Sequence, residues 1–485
     1  MFKSINVKLI CKAIGLLLLL ETCFMGLAIL VALYYGEDVQ SAFLPSLFIT
    51  FGSAVWLIIY SRESTNSMGK RDGYLIVTLA WALFSFFGAI PFYISGYLPS
   101  FVDAYFETVS GFTTTGSTII KDVEALPNGL LFWRSMTHWM GGMGIIVFTI
   151  AFLPLLKAGG VKLFAAESTG PMKTKIHPRI SDTARRLYYV YIFLTALLVI
   201  LLFLEGMSLF DAVCHSFGAI ATGGFSTRNA SIAYYNSPII DYTITLFIFF
   251  SGVNFILLYF LFKGKLKRFW DNEELRWYLG IILFTSLFIA VCLYMDGYGG
   301  VEKSFRDSLF QVTSAITTTG YTTTDFMSWD PMLWTLLLFA MITGSSAGST
   351  AGGAKIVRVV IVMKNIRAEF QRFLHPNAVI PVRMDHAVVS SQVVTNTLVF
   401  LFSYLLLIFL STFILAVTGM SFENSFGASV SAISNIGMTV GEYSATSTFC
   451  DIPQMAKAYL SFLMLIGRLE IFTMLMIFTP YFWRN

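Results

Sequence analysis

The chain has 485 residues, of which 56% are hydrophobic and only 12% are charged. A water-soluble protein of this length needs far more charge on its surface, so the composition excludes that class and indicates a polytopic membrane protein. The formal net charge is only +4, and the five cysteines show no Cys-x-x-Cys spacing, so a disulfide framework and a cysteine metal site are both disfavoured.

The first two apolar runs are long enough to cross a bilayer. A spanning helix needs about 20 mainly apolar residues, and residues 13–35 and 42–60 provide them. Three lysines precede the first run, as in a signal peptide, but no clear small-residue cleavage site follows it. We therefore expect a retained helix at this position.

From residue 74 onwards one pattern recurs four times: a long helix, a short helix, a polar loop and a second long helix. In the first unit we expect these elements at 74–96, 101–112, 113–117 and 128–156. The helices of the other units are expected at 187–205, 208–220 and 239–262; at 278–295, 304–316 and 331–375; and at 393–419, 422–433 and 456–480. The short segments are too brief to span the membrane, which indicates re-entrant loops lined by protein or water.

The repetition predicts the fold class. We expect an all-α polytopic membrane protein in which four helix–pore-helix–filter–helix repeats surround one central pore. The predicted units are two extra N-terminal helices at 1–73 and repeats at 74–160, 161–270, 271–385 and 386–485.

Each short segment leads into a loop with a glycine at the same offset. The glycines lie 108, 96 and 117 residues apart. Four such loops around one axis would form a ring of backbone carbonyls, which is the arrangement that replaces the hydration shell of K⁺ in tetrameric channels. Glycine allows the carbonyls on both sides of it to face the axis. The four glycines are Gly116, Gly224, Gly320 and Gly437.

The distribution of positive charge predicts the orientation. If the N-terminus is cytoplasmic, 25 of the 32 Lys and Arg residues lie on the cytoplasmic side, six lie outside, and Arg468 remains within a helix. This bias is a firm positive-inside signal and also places the C-terminus in the cytoplasm. The outer side collects acidic residues near the glycine loops, which we expect to attract cations.

The loops Thr-Thr-Thr-Gly-Ser, Ala-Thr-Gly-Gly-Phe, Thr-Thr-Thr-Gly-Tyr and Ser-Asn-Ile-Gly-Met, with the two extra N-terminal helices, resemble the Trk/Ktr/HKT superfamily of potassium-transporting proteins. Within it, the chain is most similar to bacterial membrane subunits of the TrkH type, over essentially all 485 residues. The resemblance implies a channel-like K⁺ pathway in the bacterial inner membrane. It also implies a homodimer with one pore per subunit, surrounded by membrane lipids, and a cytoplasmic TrkA-like ring that binds nucleotide.

The resemblance also implies the ligands. K⁺ is the expected ion, with no organic cofactor on this chain, because no Gly-x-Gly-x-x-Gly follows a strand. In the superfamily a serine at the first filter glycine accompanies Na⁺ permeation, so Gly116 favours K⁺. The fourth loop departs most from the others. The expected ligands are the carbonyls of Thr114, Thr115 and Gly116; Thr222, Gly223 and Gly224; Thr318, Thr319 and Gly320; and Asn435, Ile436 and Gly437.

The last long helix of the third repeat contains a candidate gate. A continuous helix over 331–373 would be about 65 Å long, twice the thickness of the hydrocarbon core. Four glycines interrupt it midway, and irregular backbone at membrane depth must be buried in protein or line a cavity. Arg468 lies at a similar distance past the fourth filter, so its guanidinium is expected to bind freed carbonyls and hold the loop closed. The predicted loop comprises Gly344, Ser345, Ser346, Ala347, Gly348, Ser349, Thr350, Ala351, Gly352 and Gly353.

Alternative functions remain open at this stage. One is a symporter in which Na⁺ or H⁺ accompanies K⁺. Another is a membrane enzyme acting on lipid, which would need a cluster of His, Asp or Glu that is not evident beyond His138. We predict His138 to be a packed histidine, and Glu21 to be either a functional charge or a peripheral, snorkelling residue. No catalytic role and no nucleic-acid partner are expected.

Overall fold

The computed structural model describes residues 5–64, 69–142, 144, 180–385, 387–444 and 448–483. Two long helices come first, α1 (Val7–Tyr34) and α2 (Gln40–Tyr60), and they pack against each other. The side chain of Asn6 caps α1 by accepting a hydrogen bond from the backbone N–H of Leu9 at 3.1 Å. Such a cap satisfies one of the free N–H groups at a helix start.

Four groups of helices follow α2. The first contains α3 (Lys70–Ile94), α4 (Phe101–Phe112) and α5 (Asn128–Gly142). The second contains α6 (Ile180–Leu204), α7 (Leu209–Ile220), α8 (Pro238–Ser251) and α9 (Phe255–Phe262), and α10 (Leu266–Trp270) connects it to the third.

The third group contains α11 (Glu273–Met295), α12 (Val301–Ile316), α13 (Pro331–Thr343) and α14 (Ile356–Leu374). A small antiparallel hairpin of β1 (Arg383–Met384) and β2 (Ala387–Val388) separates it from the fourth group. The fourth contains α15 (Ser391–Val417), α16 (Phe422–Ser434), α17 (Gln454–Arg468), α18 (Ile471–Leu475) and α19 (Pro480–Trp483). Single 3₁₀ turns lie at Ser231–Tyr235, Phe326–Ser328, Phe449–Asp451 and Met476–Phe478.

Four short helices, α4, α7, α12 and α16, occupy the predicted re-entrant positions, and we call them the pore helices. They contain 12, 12, 16 and 13 residues. At 1.5 Å per residue they are about 18–24 Å long, which is less than the roughly 30 Å hydrocarbon core. Each packs against the long helix that precedes it, so the helix–pore-helix part of the repeat recurs as the sequence predicts.

Six helices in the described ranges are long and apolar enough to span a membrane, or eight if two bent pairs each count as one span. The bent pairs correct the sequence-based expectation, which placed uninterrupted helices at 239–262 and 456–480. The chain bends by 109° between α8 and α9 and by 113° after α17. Asn254 starts α9 by capping the N–H of Ile256, and Glu470 ends α17 by adopting a left-handed φ of 56°.

The predicted interruption of 331–375 is confirmed, because α13 ends at Thr343 and α14 begins at Ile356. The predicted helix 128–156 is described only as far as Gly142. The rest of that helix lies outside the described residues, as does the predicted boundary between the first two repeats.

Candidate functional site

The four glycine loops meet in a ring whose order follows the chain. Each glycine lies so close to the backbone of the next loop that a Cβ atom would collide with it, and the fourth loop closes the ring on the first. Such approaches are open only to glycine. The Cβ-to-neighbour distances are 2.0 Å from Gly116 to the carbonyl oxygen of Gly223, 2.0 Å from Gly224 to that of Thr319, 3.0 Å from Gly320 to the nitrogen of Gly437, and 2.8 Å from Gly437 to the carbonyl oxygen of Gly116.

The loops share one backbone conformation. Two residues before each glycine, the chain adopts a left-handed φ of 53–55°, although the residue there is never glycine. The sequence analysis missed this feature. The available signal was a threonine or asparagine two residues before each glycine, since asparagine tolerates the left-handed region. The four residues are Thr114, Thr222, Thr318 and Asn435.

The glycines themselves are less uniform than expected. Gly116, Gly224 and Gly320 have φ of 87°, 81° and 86°, whereas Gly437 is not among the residues with positive φ. A positive φ therefore accounts for glycine in the first three loops but not in the fourth. At Gly437 the requirement is the close approach to Gly116 instead.

The C-terminal ends of the pore helices lie beside this ring. α4 ends at Phe112, and Thr113 alone separates it from Thr114, Thr115 and Gly116. One residue likewise follows α7 and α12 before the left-handed threonine, whereas α16 ends at Ser434, directly before Asn435. Because the C-terminus of a helix carries partial negative charge, four such ends favour a cation at the ring.

Hydroxyl groups brace the first and third loops in the same way. The Oγ1 atoms of Thr113 and Thr115 lie 2.8 Å apart, and the equivalent pair in the third loop is separated by 2.7 Å. The fourth loop has Asn435 instead, whose Nδ2 donates to Thr115 Oγ1 at 3.0 Å and to the carbonyl of Met464 at 2.8 Å. The departure of the fourth loop thus adds a side-chain link to the first.

Nine residues before three of the glycines, a buried polar side chain links the pore helix to the segment after the glycine loop. Glu107 accepts from the hydroxyl of Thr118 at 2.9 Å. His215 Nε2 lies 2.9 Å from Ser226 Oγ, and Gln311 donates to the carbonyl of Thr324 at 3.1 Å. Sequence reasoning missed these residues, although their constant offset from the glycine could have revealed them.

The second pore helix carries a glycine where the others carry serine. A Cβ at Gly218 would lie 2.2 Å from the hydroxyl of Tyr321. That hydroxyl donates to the carbonyls of His215 and Phe225 at 3.1 and 3.0 Å. The tyrosine of the third loop therefore fills the space that a serine occupies in the other repeats.

Charged residues beside the ring are paired more than we expected. Arg134 and Glu107 form a buried ion pair at 2.7 Å, and the guanidinium also lies 3.5 Å from the ring centre of Phe225. Asp211 and Asp103 pair with Arg228 and Lys457, both at 2.9 Å. Three of the acidic groups expected to attract cations are thus neutralised by neighbours. Each of these ion pairs links a pore helix to another part of the chain.

Away from the ring, Asp122 and Lys121 lie exposed on the protein surface. A hydrogen bond from the side chain of Asn229 lowers the pKa of Asp122. The hydrogen bond and charge of Asp451 raise the pKa of Lys121. Both groups are therefore ionised at neutral pH.

The segment at 344–353, which we call the intramembrane loop, lies against the C-terminal ends of the pore helices. Its backbone and side chains contact the second, third and fourth repeats. The contacts include Ser346 N to Gly252 O at 3.1 Å, Phe255 N to Gly348 O at 3.1 Å, Thr350 Oγ1 to Ile220 O at 3.2 Å, Gly352 N to Thr318 Oγ1 at 2.7 Å, and Gly353 N to Ser434 O at 3.0 Å.

Arg468, the last residue of α17, reaches the same segment. Its Nη1 donates to the carbonyl of Thr350 at 2.8 Å, and its Nη2 donates to the carbonyls of Gly141 and Gly142. The guanidinium therefore bridges the intramembrane loop and the end of α5. Whether this bridge controls a gate stays a prediction.

His138 and Glu21 both lie in the interior. The ring of His138 stacks on Phe225 with centroids 4.0 Å apart, and its Nδ1 lies 2.7 Å from the carbonyl oxygen of Gly111. It is a packed histidine, and the described residues include no group of three His, Cys, Asp or Glu that could hold a metal. Glu21 is fully buried in α1, so the peripheral interpretation is wrong.

Comparison with known proteins agrees with this architecture. The model of the TrkH family, described as a cation transport protein, matches residues 41–484. The chain is 37% identical to the Trk system potassium uptake protein TrkH of Escherichia coli strain K12, covering 98% of this chain and 99% of that protein. It is 35% identical to TrkG of the same strain, covering 99% of both.

A crystal structure gives the same result for the fold. The crystal structure of the potassium transporter TrkH from Vibrio parahaemolyticus matches with a TM-score of 0.89 at 35% identity. The match covers 98% of this chain and 99% of the Vibrio chain. With the long apolar helices described above, the match makes this an all-α, multi-pass membrane protein. The chain belongs to the TrkH family of cation transport proteins.

Proposed function

We propose that this chain is the K⁺-conducting subunit of a Trk-type uptake system in the bacterial inner membrane. The ring of four glycine loops carries the proposal, because each loop touches the next and the fourth returns to the first. Relatives named as potassium uptake proteins support K⁺ as the ion. The bias of Lys and Arg supports cytoplasmic N- and C-termini.

The filter in this proposal consists of backbone carbonyls from the four loops. Carbonyl rings select K⁺ by replacing its water ligands. Two features support it here: the left-handed turn repeats at one offset, and all four pore helices direct their negative ends to the ring. The four repeats would divide at residues 74, 161, 271 and 386, as the sequence predicts.

The intramembrane loop is the proposed gate, with Arg468 as one of its restraints. Its contacts with the ends of two pore helices and with Thr318 support a position across the ion path. Opening would require the loop to leave these contacts. A TrkA-like cytoplasmic partner, acting on a homodimer of this chain, would drive that movement by pulling on α14.

Ion flux into reconstituted vesicles tests the proposal. Purified protein should take up rubidium, a K⁺ substitute, and deletion of residues 345–352 should raise uptake in the absence of a partner. Folded protein that shows no K⁺-dependent flux with the partner present would contradict the proposal. Reversal potentials that depend on Na⁺ or pH as well as K⁺ would instead support a coupled symporter.

A further inference from the structure

The intramembrane loop is held by a carboxylate as well as by Arg468. Glu274, the second residue of α11, is only 7% exposed. Its Oε1 accepts a hydrogen bond from the backbone N–H of Ala347 at 2.7 Å. Since Ala347 is itself only 7% exposed, that N–H needs a partner within the protein.

The bond matters because the loop is irregular. A helix would satisfy the N–H groups of residues 346 and 347 internally, but the chain leaves the helix at Gly344. Ser346 N–H finds the carbonyl of Gly252, and Ala347 N–H finds Glu274.

Glu274 and Arg468 bind different backbone groups of the loop, one an N–H and the other a carbonyl. Arg468 donates to the carbonyl of Thr350, whereas Glu274 accepts from the N–H of Ala347. The two side chains come from different repeats, α17 in the fourth and α11 in the third. The two side chains thus hold the loop at positions three residues apart, one by accepting and the other by donating a hydrogen bond.

Neighbouring contacts fix the carboxylate in place. Asn272 caps α11 by accepting from the N–H of Leu275 at 2.9 Å. Glu273 forms an ion pair with Lys364 of α14 and accepts from the N–H of Asp385 at 3.3 Å, in the turn of the β1–β2 hairpin. The start of α11 is thus braced by two elements outside the loop, which gives Glu274 a rigid base.

We infer that Glu274 is a positioning residue for the intramembrane loop, which keeps Ala347 in place and so keeps the loop across the ion path. The inference rests on the proposed function of that loop as a gate. Loss of the carboxylate would leave a buried N–H without an acceptor and would favour conformations in which the loop has moved away. Glu274 is then a second, acidic restraint beside Arg468.

Rubidium uptake without a partner is the first measurement. A buried N–H without an acceptor corresponds to about a 5- to 150-fold change in the ratio of released to held loop. We therefore expect Glu274→Ala to raise uptake about tenfold. Glu274→Gln keeps an acceptor oxygen and should raise it less. Asp271→Ala, which removes an exposed carboxylate three residues earlier in the chain, is the control and should leave uptake unchanged.

Thiol modification is the second measurement. A general loss of stability would not concentrate the modification in the intramembrane loop. Ser349 is partly buried and donates to the carbonyl of Ser346 at 2.7 Å. A Ser349→Cys change allows the rate of maleimide modification to be followed in detergent by mass spectrometry of that peptide. The rate should rise when Glu274→Ala is added and stay the same when Asp271→Ala is added.

The outcomes separate this inference from the proposed gate. Unchanged uptake and unchanged modification in folded Glu274→Ala protein would overturn the inference. If deletion of 345–352 still raises uptake, the gate stands and only the role of Glu274 fails; if it does not, the gate fails as well. Should Glu274→Ala not fold, Glu274→Leu fills the same volume without an acceptor and is subject to the same two measurements.

Discussion

Replacement of Gly116 by serine tests the ring most directly. Gly116 has φ of +87°, and a Cβ there would lie 2.0 Å from the carbonyl oxygen of Gly223. Real Cβ atoms essentially never approach closer than 3.0 Å, so the Gly223 carbonyl, a proposed K⁺ ligand, must move by at least 1.0 Å. The left-handed backbone adds about 1–2 kcal/mol for any L-residue.

That strain alone corresponds to about a 5- to 30-fold loss of the native filter geometry. We therefore expect Gly116→Ser to lower the K⁺/Na⁺ permeability ratio by at least about fivefold. Reversal potentials in bilayers with K⁺ on one side and Na⁺ on the other give that ratio.

Gly96→Ser is the matched control. Gly96 also has a positive φ, of +77°, but nothing lies within 4 Å of its Cβ position. The Gly96→Ser variant should keep the parental K⁺/Na⁺ permeability ratio, although its backbone strain is similar. A Gly116→Ser protein that folds and retains the parental ratio would refute the placement of the first loop in the filter.

Three further predictions follow from named contacts. Arg468→Ala should raise rubidium uptake without a partner, because the carbonyl of Thr350 loses its charged donor; unchanged or lower uptake in folded protein would count against a restraining role. Gly218→Ala should destabilise the protein by collision with the Tyr321 hydroxyl, and adding Tyr321→Phe should recover part of the loss in thermal unfolding; additive effects would contradict the shared space. Arg134→Met should lower stability by about 3–5 kcal/mol, because it strands the buried carboxylate of Glu107; Glu107→Gln in the same background should recover stability, and no recovery would mean that the pair is not the cause.

The sequence predicts the repeat well, because the spacing of apolar runs and glycines depends on the thickness of the membrane and on local backbone geometry. The four pore helices and the break before Ile356 both lie where these patterns place them. The breaks at Gly252 and Glu470 were missed, because the surrounding segments are apolar enough to pass for single helices. Local sequence cannot show that a neighbouring loop will satisfy the freed backbone groups there.

The partners of individual side chains were also hard to predict. Glu107 looked like a surface acid, since its partner Arg134 lies 27 residues later and faces it only in the folded protein. Glu274 gave no signal, because a glutamate in the first turn of a helix is explained by the helix dipole alone. Its contact with Ala347, 73 residues away, depends on tertiary structure.

The closed ring has a consequence for how the proposed filter changes during evolution. In a channel made of four identical subunits, one codon change alters all four positions of the ring at once. Here the four loops belong to one chain, so a single change alters one quarter of the ring, and the repeats have already diverged, as at Asn435 and Gly218. Selectivity can therefore drift in small steps, while each repeat becomes dependent on its particular neighbours and loses its interchangeability with the others.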